Sequence, residues 1–258
     1  MLIFSCLIAM TVCQQVETPI GCDDHPLIIE AGQPSPTHWK GIRSVAFESG
    51  WDDHSSRAIL LRDRDVEVIR GRAQITSVSF AESSQITDKV VDVLKTLPQL
   101  EKVGFYRVNL TDHGLTKLAS IGTLKEIEIE SCPISDVGLS KLGKLSHLET
   151  LSVRQCPVFG TCVTALADIK SLRHLDLSET NVDDGIAQHI SKLQQLRKLT
   201  LSYTAVTSRV LGAVAKLRNL RWLNIWSTDI SAESIVAFRR RRSDVKVHTC
   251  EFAAMNDD

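Results

Sequence analysis

Apolar and polar residues recur along this chain with a constant step of 24 positions between residues 101 and 220. The step divides this stretch into five blocks without insertion or deletion: 101–124, 125–148, 149–172, 173–196 and 197–220. An earlier copy, 76–100, has one extra residue, and a last, irregular copy covers 221–250. A step of about 20 to 50 residues is typical of solenoids, in which each repeat packs only on its neighbours.

Each block predicts a short strand, a turn and a helix. The third and fifth positions are apolar in all of them, as in Leu175 and Leu177, and mostly polar or small residues stand beside them. This alternation is typical of a strand with one buried face. Apolar residues then recur in steps of three, as in Leu139, Leu142 and Leu145. Such steps place the side chains on one stripe of a helix.

The pattern predicts an α/β solenoid of seven repeats between residues 76 and 250. One block alone buries too little apolar surface to offset the entropy lost on ordering its chain, so the blocks must stack. We expect a right-handed, curved stack with parallel strands on the concave face and helices on the convex face. Strands about 4.8 Å apart pack more tightly than helices about 8–10 Å apart, which bends the stack toward its strands.

Two segments carry a family resemblance most clearly: LTDHGL at residues 110–115 and ISDVGL at residues 134–139. With their flanking apolar positions, they make residues 76–250 resemble leucine-rich repeats of the cysteine-containing type. Similar repeats occur in many exported bacterial proteins. The resemblance implies a non-catalytic scaffold that binds another protein or peptide through its concave face.

The eighth position of successive blocks carries a small side chain. It holds Val108, Cys132, Cys156, Thr180, Thr204 and Thr228. The resemblance implies that this side chain points inward, where it can bond backbone groups that the turn leaves unpaired. We therefore interpret Cys132 and Cys156 as buried thiols rather than a redox pair. Asp112, Asp136 and Asp184 precede helices and are interpreted as N-caps rather than as an acid cluster.

Positions two, four and six flank the buried pair, so their side chains are predicted to face the concave side. The candidate partner-binding residues on this face are Tyr106, Glu126, Glu128, Glu130, Arg154, His174, Asp176, Trp222 and Trp226. Their carboxylates would attract a basic segment, and their aromatic rings would supply an apolar anchor. For the two tryptophans, packing against a C-terminal segment that includes Phe252 is an equally good interpretation.

Two other functions stay open at this point. The tryptophans would also suit stacking on a sugar, which indicates a glycan or cell-envelope binding module. An enzyme would need a site in residues 39–54, where Trp39, Trp51, Asp52, Asp53 and His54 form the only suggestive cluster. The histidines are scattered and no catalytic or phosphate-binding motif occurs, so we expect no enzyme activity, cofactor or metal ion.

Charge adds little to this picture at the level of the whole chain. The formal net charge is −1 over 258 residues, which gives no reason to expect a nucleic acid as partner. The densest charge run is Arg239–Arg242, interpreted as the polar outer face of a terminal repeat. Val245–His248 alternates like an edge strand that closes the core. We expect a monomer.

The N-terminal part is predicted to be a leader followed by an extended entry to the repeats. Residues 2–12 are apolar but too short to span a bilayer, so residues 1–20 are interpreted as a signal peptide. We expect export to the periplasm, cell surface or medium; a buried N-terminal strand would instead fit a cytoplasmic protein. Residues 21–50 are predicted to be a linker, 51–75 a cap region and 251–258 a tail. Within the cap, Ser55–Leu61 suggests a helix and Val66–Ile69 a strand.

Overall fold

The computed structural model describes residues 26–30, 39, 41–52 and 57–249. Their main element is a ten-stranded sheet with the strand order β1-β2-β5-β6-β7-β8-β9-β10-β11-β12, all neighbours parallel. The strands are β1 Leu27–Glu30, β2 Ser44–Glu48, β3 Gly50–Asp52, β4 Arg57–Ile59, β5 Ser77–Ala81, β6 Lys102–Tyr106, β7 Glu126–Glu130, β8 Thr150–Arg154, β9 His174–Asp176, β10 Lys198–Thr200, β11 Trp222–Asn224 and β12 Lys246–His248. The remaining two, β3 and β4, form an antiparallel hairpin.

Helical segments alternate with the strands from β5 onward. The α-helices are α1 Val90–Leu94, α2 Asp112–Leu118, α3 Asp136–Lys141, α4 Val163–Leu166, α5 Ala187–Ile190, α6 Leu211–Val214 and α7 Ala232–Arg241. Short 3₁₀ turns cover Asp63–Ile69, Leu142–Lys144, Asp184–Ile186 and Ser208–Val210. Leu175 and Leu177 are buried, as are the equivalent residues of the other repeats. The predicted α/β solenoid is therefore confirmed.

The constant repeat step continues to the C-terminal end of the sheet. Leu199 of β10 lies beside Leu175 and Leu223, and Leu223 lies beside Val247 of β12. The last repeat looked irregular in the sequence, but in the structure it also has the full 24-residue step between β11 and β12. The segment predicted to form an edge strand does so, because β12 pairs only with β11 among the described strands.

The sheet extends further toward the N-terminus than the sequence predicted. β1 and β2 lie in the range expected to be a linker, yet they add to the sheet beside β5. Val45 and Phe47 of β2 are buried, and the ring of Phe47 stacks on that of Phe80 at 5.4 Å between centroids. The sequence did not reveal β2 as a strand of the sheet, because β2 and β5 are not separated by the repeat step of 24 residues. Phe47 of β2 lies beside Phe80 of β5. The predicted signal peptide and tail lie outside the described residues.

The cap region also differs from expectation. Residues 63–69 form a 3₁₀ helix instead of the predicted strand. Val66 and Ile69 are three residues apart and both buried, which fits the three residues per turn of this helix. Of the segment predicted as a helix, residues 57–59 form β4, and residues 55–56 lie outside the described range.

A left-handed residue follows each of the seven strands that start the repeats. These residues have φ between 51° and 58°, and none of them is glycine: Glu82, Arg107, Ser131, Gln155, Glu179, Tyr203 and Ser227. The N–H groups of the first six bond the carbonyl at the equivalent end of the next repeat's strand segment, as from Arg107 to Glu130 at 2.9 Å. The chain thus leaves the sheet at the same place in every repeat, which keeps the side chains beyond this point in line.

The aspartates ahead of the helices join neighbouring repeats, which corrects their interpretation as N-caps. The N-cap of α2 is Thr111 and that of α3 is Ser135. The carboxylate of Asp112, the first residue of α2, accepts the N–H of Ser135 at 2.7 Å and its hydroxyl at 2.6 Å. The same pair of bonds joins Asp63 to Thr87, Asp88 to Thr111 and Asp184 to Thr207. We call this series the aspartate ladder.

The aspartate ladder is broken in repeat 149–172. Gly160, with φ of 90°, stands where the two neighbouring repeats have the ladder residues Asp136 and Asp184. Asp136 of the repeat before it bonds the N–H groups of Phe159 at 2.7 Å and Cys162 at 2.9 Å. Burial acts to raise the pKa of Asp136, but the N–H donors of Cys162 and Phe159 outweigh it and hold this pKa below its ordinary value. The ladder resumes at Asp184.

The eighth position behaves as predicted. Cys132 and Cys156 are free, buried thiols. The Cys156 thiol donates to the carbonyl of Arg154 at 3.2 Å, and the hydroxyls of Thr180 and Thr204 donate to the carbonyls of Leu177 and Leu201, just after β9 and β10, at 2.6 Å. Burial raises the pKa of Cys156 to about 12. These thiols therefore stay protonated near neutral pH and serve packing.

The arginine run at the end of α7 closes the last repeat. Arg242 donates to the carbonyls of Ala215, Leu217 and Leu220 at 2.8–3.1 Å, and so satisfies backbone groups of the preceding repeat. It also pairs with Asp244 at 2.9 Å. The hydrogen bond from Arg242 lowers the pKa of Asp244 to about 2.

Among the described residues, no helix combines the length and the apolar character that crossing a membrane requires.

Candidate binding surface

The nine candidate residues lie on the sheet face opposite the helices, as their alternation predicted. Eight of them are on strands, and Trp226 follows β11 by two residues. On β7, Ile127 and Ile129 are buried while Glu126, Glu128 and Glu130 are partly exposed. Parallel pairing in register brings the side chains at equal positions of neighbouring repeats together. We call this side of the sheet the concave face.

Two of the three carboxylates on β7 are engaged by β6. Glu126 forms an ion pair with Lys102 at 2.9 Å, and this bond raises the pKa of Lys102. Glu128 accepts the hydroxyl of Tyr106. The ring of Tyr106 reaches it by lying over Gly104, where an added Cβ would come within 2.7 Å of the ring. Burial and the bond to Glu128 raise the pKa of Tyr106 well above its ordinary value.

Arg154 pairs with a residue that sequence reasoning missed. Its guanidinium contacts Glu179 at 3.0 Å, although Glu130 lies directly beside Arg154 in the sheet. Gln155 donates to the same carboxylate at 2.6 Å, and the bonds from Gln155 and Arg154 lower the pKa of Glu179. Glu179 occupies the left-handed position after β9. Arg154 thus forms its ion pair with the residue that follows β9 and not with Glu130 of β7.

The middle of the concave face is a hydrogen-bonded polar row. The carboxylate of Asp176 accepts the N–H of Ser178 at 2.9 Å, and the hydroxyls of Ser178 and Ser202 lie 2.9 Å apart. His174 contacts the hydroxyl of Thr150 at 3.3 Å. Burial, followed by the charges of Lys198 and Arg197, lowers the pKa of His174, so its imidazole is neutral at pH 7.

The two tryptophans differ in their surroundings. Trp222 packs against His248 of β12 with 5.0 Å between ring centroids, which supports the interpretation of packing against the C-terminal segment. Trp226 packs edge-to-face on Tyr203 at 4.9 Å instead. Trp226 is 40% exposed and Tyr203 is 50% exposed. Phe252, the other suggested partner, lies outside the described residues.

Tyr203 was absent from the candidate residues because it stands at position seven. The strand alternation ends there, since this residue is left-handed with φ of 55°. The sequence did contain a signal for this residue: Tyr203 is aromatic, whereas position seven of the other repeats holds Glu, Arg, Ser or Gln. An aromatic side chain placed there projects from the rim of the sheet and meets Trp226, which lies one repeat further on.

The cluster suggested for an enzyme is only partly described. Trp39 is 9% exposed, and the guanidinium of Arg72 lies 3.8 Å from the centroid of its ring. Trp51 and Asp52 lie on β3, whereas Asp53 and His54 fall outside the described residues. Trp39 therefore belongs to the hydrophobic core of the fold. Within the described ranges, no three His, Cys, Asp or Glu side chains are grouped so that they could hold a metal ion.

The fold and repeats match known proteins. The leucine-rich-repeat family model matches residues 123–143 and 169–191. An internalin of Listeria monocytogenes superposes with a TM-score of 0.56 and 18% identity, over 81% of this chain and 54% of that one. A leucine-rich-repeat protein of Leptospira interrogans gives a TM-score of 0.52 and 14% identity, over 73% and 51%. The chain thus spans about half the length of both structures.

These matches agree with the geometry of the repeats. The chain has the leucine-rich-repeat fold, two of its segments match the leucine-rich-repeat family model, and its solenoid is similar in structure to bacterial proteins of that fold. A search among curated protein sequences finds no match. Proteins with this fold commonly bind other proteins.

Proposed function

We propose that this protein is a non-catalytic scaffold that binds another protein or peptide through its concave face. The observation that carries the proposal is the aromatic pair of Tyr203 and Trp226, which leaves two large rings exposed at the end of an ordered sheet. Large apolar side chains exposed to water are typical of contact sites, and Tyr and Trp dominate the binding energy of many interfaces. The edge-to-face contact restricts both side chains before a partner binds, so less entropy is lost when a partner covers them.

The acidic side chains give the expected partner its second feature. Glu130 and Asp176 lie on the same face as the aromatic pair, and Asp176 is two repeats away from Trp226. We expect a partner segment with a basic residue beside an apolar anchor, because carboxylates attract cations and weaken the binding of acidic partners by repulsion. Such steering weakens with salt, since exposed charges are screened beyond about 8 Å at physiological ionic strength.

Export is part of this proposal. The apolar run at residues 2–12 supports a signal peptide, and a binding scaffold of this kind would then meet its partner outside the cytoplasm. Attachment of an epitope after residue 258, followed by fractionation of cells that express the full chain, tests it. The tag should appear in the exported fraction with the mass of a shortened chain.

The binding proposal is tested by selecting random peptides on the intact chain. Selected peptides should carry Lys or Arg beside a large apolar residue. Their affinity should fall about tenfold or more when Tyr203→Ala is combined with Trp226→Ala, mainly through faster dissociation. The matched control combines Val137→Ala with Phe159→Ala, because these side chains are 64% and 58% exposed but lie away from the aromatic pair.

The two variants separate the possible outcomes. Equal affinity of the selected peptides for the aromatic double variant and the unaltered chain would place the contact elsewhere and overturn the proposal. A glycan that binds the unaltered chain and not the aromatic variant, with no peptide selected, would replace it by the carbohydrate alternative. Glu130→Lys should slow association at low salt and have little effect at high salt.

A further inference from the structure

Charge is divided unevenly along the solenoid. Residues 76–184 contain 15 carboxylates and 11 Lys or Arg residues, whereas residues 185–249 contain 3 carboxylates and 12 Lys or Arg residues. No Asp or Glu occurs between Asp184 and Asp229, a stretch with seven Lys or Arg residues. The net charge of −1 for the whole chain therefore hides a strongly basic C-terminal part.

Six of these seven cations gather on one edge of the sheet. They stand in the turn after each helix or at the start of the next strand, whereas Arg209 stands at the opposite end of its repeat. All six are exposed: Lys192, Arg197, Lys198, Lys216, Arg218 and Arg221. We call this set the basic edge. Arg240 of α7 continues the row of Lys192 and Lys216, because these three residues follow one another at the repeat step.

Little in the described part of the chain neutralises the basic edge. Of the six, only Arg221 has a salt-bridge partner among the described residues, Asp244 at 3.0 Å. Arg242, by contrast, is used for structure, since it bonds three carbonyls of the preceding repeat. Gln194 and Asn219 line an open hollow beside Lys216 and Arg218. Like charges held this close repel one another, and a bound anion would relieve the repulsion.

We propose that the basic edge docks an acidic polypeptide segment, as a second binding surface that adjoins the concave face at Lys198, the first residue of β10. Neighbouring strands lie about 4.8 Å apart, and carboxylates on one side of an extended peptide recur about every 6.6–7 Å. Long Lys and Arg side chains bridge this difference easily. Arg197 and Arg221 lie on neighbouring repeats, so a segment running across the strands would meet one or more cations in each repeat.

The placement of aromatic residues favours a peptide over a nucleic acid. Single-stranded nucleic acids are usually bound by cations interleaved with aromatic rings on which the bases stack. Tyr203 and Trp226 lie at the other end of the strands, about 15 Å or more from Arg197 at about 3.3 Å per residue. The half-buried Trp222 is occupied by His248. Cations without stacking partners suit the carboxylates of a polypeptide.

The test measures binding of a fluorescein-labelled oligoglutamate peptide to the full chain by fluorescence anisotropy at low and physiological salt. The triple variant Arg197→Ala, Lys216→Ala, Arg218→Ala should bind about tenfold more weakly, because three exposed ion pairs with the peptide are lost and each contributes modestly. The matched control is Lys89→Ala, Lys141→Ala, Lys144→Ala, which removes the same charge from exposed sites in the acidic repeats. Circular dichroism verifies that both variants are folded.

Each result decides the proposal. Weaker binding of the triple variant alone, with a smaller dependence on salt, supports it. Equal losses in both variants would show an effect of net charge only and overturn it. A single-stranded oligothymidylate or vesicles containing phosphatidylserine, bound more tightly than the peptide and lost in the triple variant, would also overturn it in favour of that ligand. Selected concave-face peptides should bind the triple variant normally, which separates this test from that of the proposed function.

Discussion

Two halves of the solenoid share one core and present different surfaces. We call residues 76–184 the acidic repeats and residues 185–249 the basic repeats. Strand pairing stays in register across both, and Leu151, Leu175, Leu199 and Leu223 line up without a gap. The charge of the exposed positions reverses between them. The buried positions therefore fix the fold, while the solvent-facing positions can change sign without disturbing it.

The contacts between repeats also differ. In the acidic repeats, the aspartate ladder joins helix N-termini through carboxylates such as Asp88 and Asp112. In the basic repeats, Ser208 takes the place of the ladder aspartate, and its hydroxyl accepts the N–H of Ser231 at 3.1 Å. Hydrogen bonds to charged groups contribute about 1.5–3 kcal/mol each, and neutral ones about 0.5–1.5 kcal/mol. The basic repeats are therefore joined more weakly at this edge.

The largest expected effect concerns the end of the basic repeats. Deletion of residues 244–258 removes β12, exposes the edge of β11 and removes the buried side chain of Val245. We expect a loss of roughly 3–5 kcal/mol in the free energy of unfolding, with aggregation, because burial and edge protection are lost together. Thermal unfolding followed by circular dichroism measures it. Deletion of residues 250–258 alone is the control, and equal melting temperatures for both truncations would show that β12 is dispensable.

The second prediction compares the ladder in the two halves. Asp112→Ala should cost about 2–3 kcal/mol, because it removes the acceptor of two charge-assisted bonds; Ser208→Ala should cost about 0.5–1 kcal/mol. Urea unfolding of both variants measures the two values. If Ser208→Ala proves as costly as Asp112→Ala, the two halves are joined equally well and do not differ at this edge.

The third prediction uses the pH dependence of Asp136, which stands before the break in the ladder. Its pKa is lower in the folded protein than in the unfolded chain, so its ionised form stabilises the fold. That contribution is complete above the unfolded value of about 3.9 and is lost as the pH falls through the lower folded value. Asp136→Asn should therefore be less stable than the unaltered chain at pH 7. The gap should close in acid, and a gap that stays constant down to pH values near 2 would contradict this account.

The smallest expected effect is at the eighth position, where the acidic repeats hold Cys132, Cys156 and Thr180 and the basic repeats hold Thr204 and Thr228. Cys156→Thr should change the free energy of unfolding by no more than about 0.5–1 kcal/mol, because a threonine hydroxyl bonds a strand-end carbonyl in the equivalent place. Denaturant unfolding measures it. A loss above about 2 kcal/mol, as for a disrupted core, would mean that the cores of the two halves are not interchangeable.

The strands and helices of the repeats could be predicted because seven copies of one pattern reinforce each other. β1 and β2 could not, since neither pairs with its neighbour at the repeat step and no copy supports them. For the concave face, the alternation predicted which residues face solvent but not how they pair. The bond from Tyr106 to Glu128 depends on Gly104 leaving space, and the pairing of Trp226 depends on the left-handed turn at Tyr203.

The distribution of charge along the chain could not be predicted from the net charge, for a related reason. The net charge of the chain is a sum, and the excess carboxylates of the acidic repeats cancel cations of the basic repeats within it. Only the repeat register shows that Lys192 and Lys216 fall on one edge, because positions one repeat step apart lie side by side in the stack. In a solenoid, charge has to be counted by position within the repeat before it indicates a partner.

The unbroken register of the repeats also has a consequence for the gene. An in-frame deletion of one unit, such as residues 173–196, would bring Leu199 beside Leu151 with every buried position still aligned. Recombination between copies can therefore shorten or lengthen such a protein without passing through an unfoldable form, since each unit interacts only with its neighbours. Loss of residues 197–220 would take most of the basic edge with it and leave the acidic repeats whole. Recombination at a repeat boundary can thus add or remove a whole binding surface in one step.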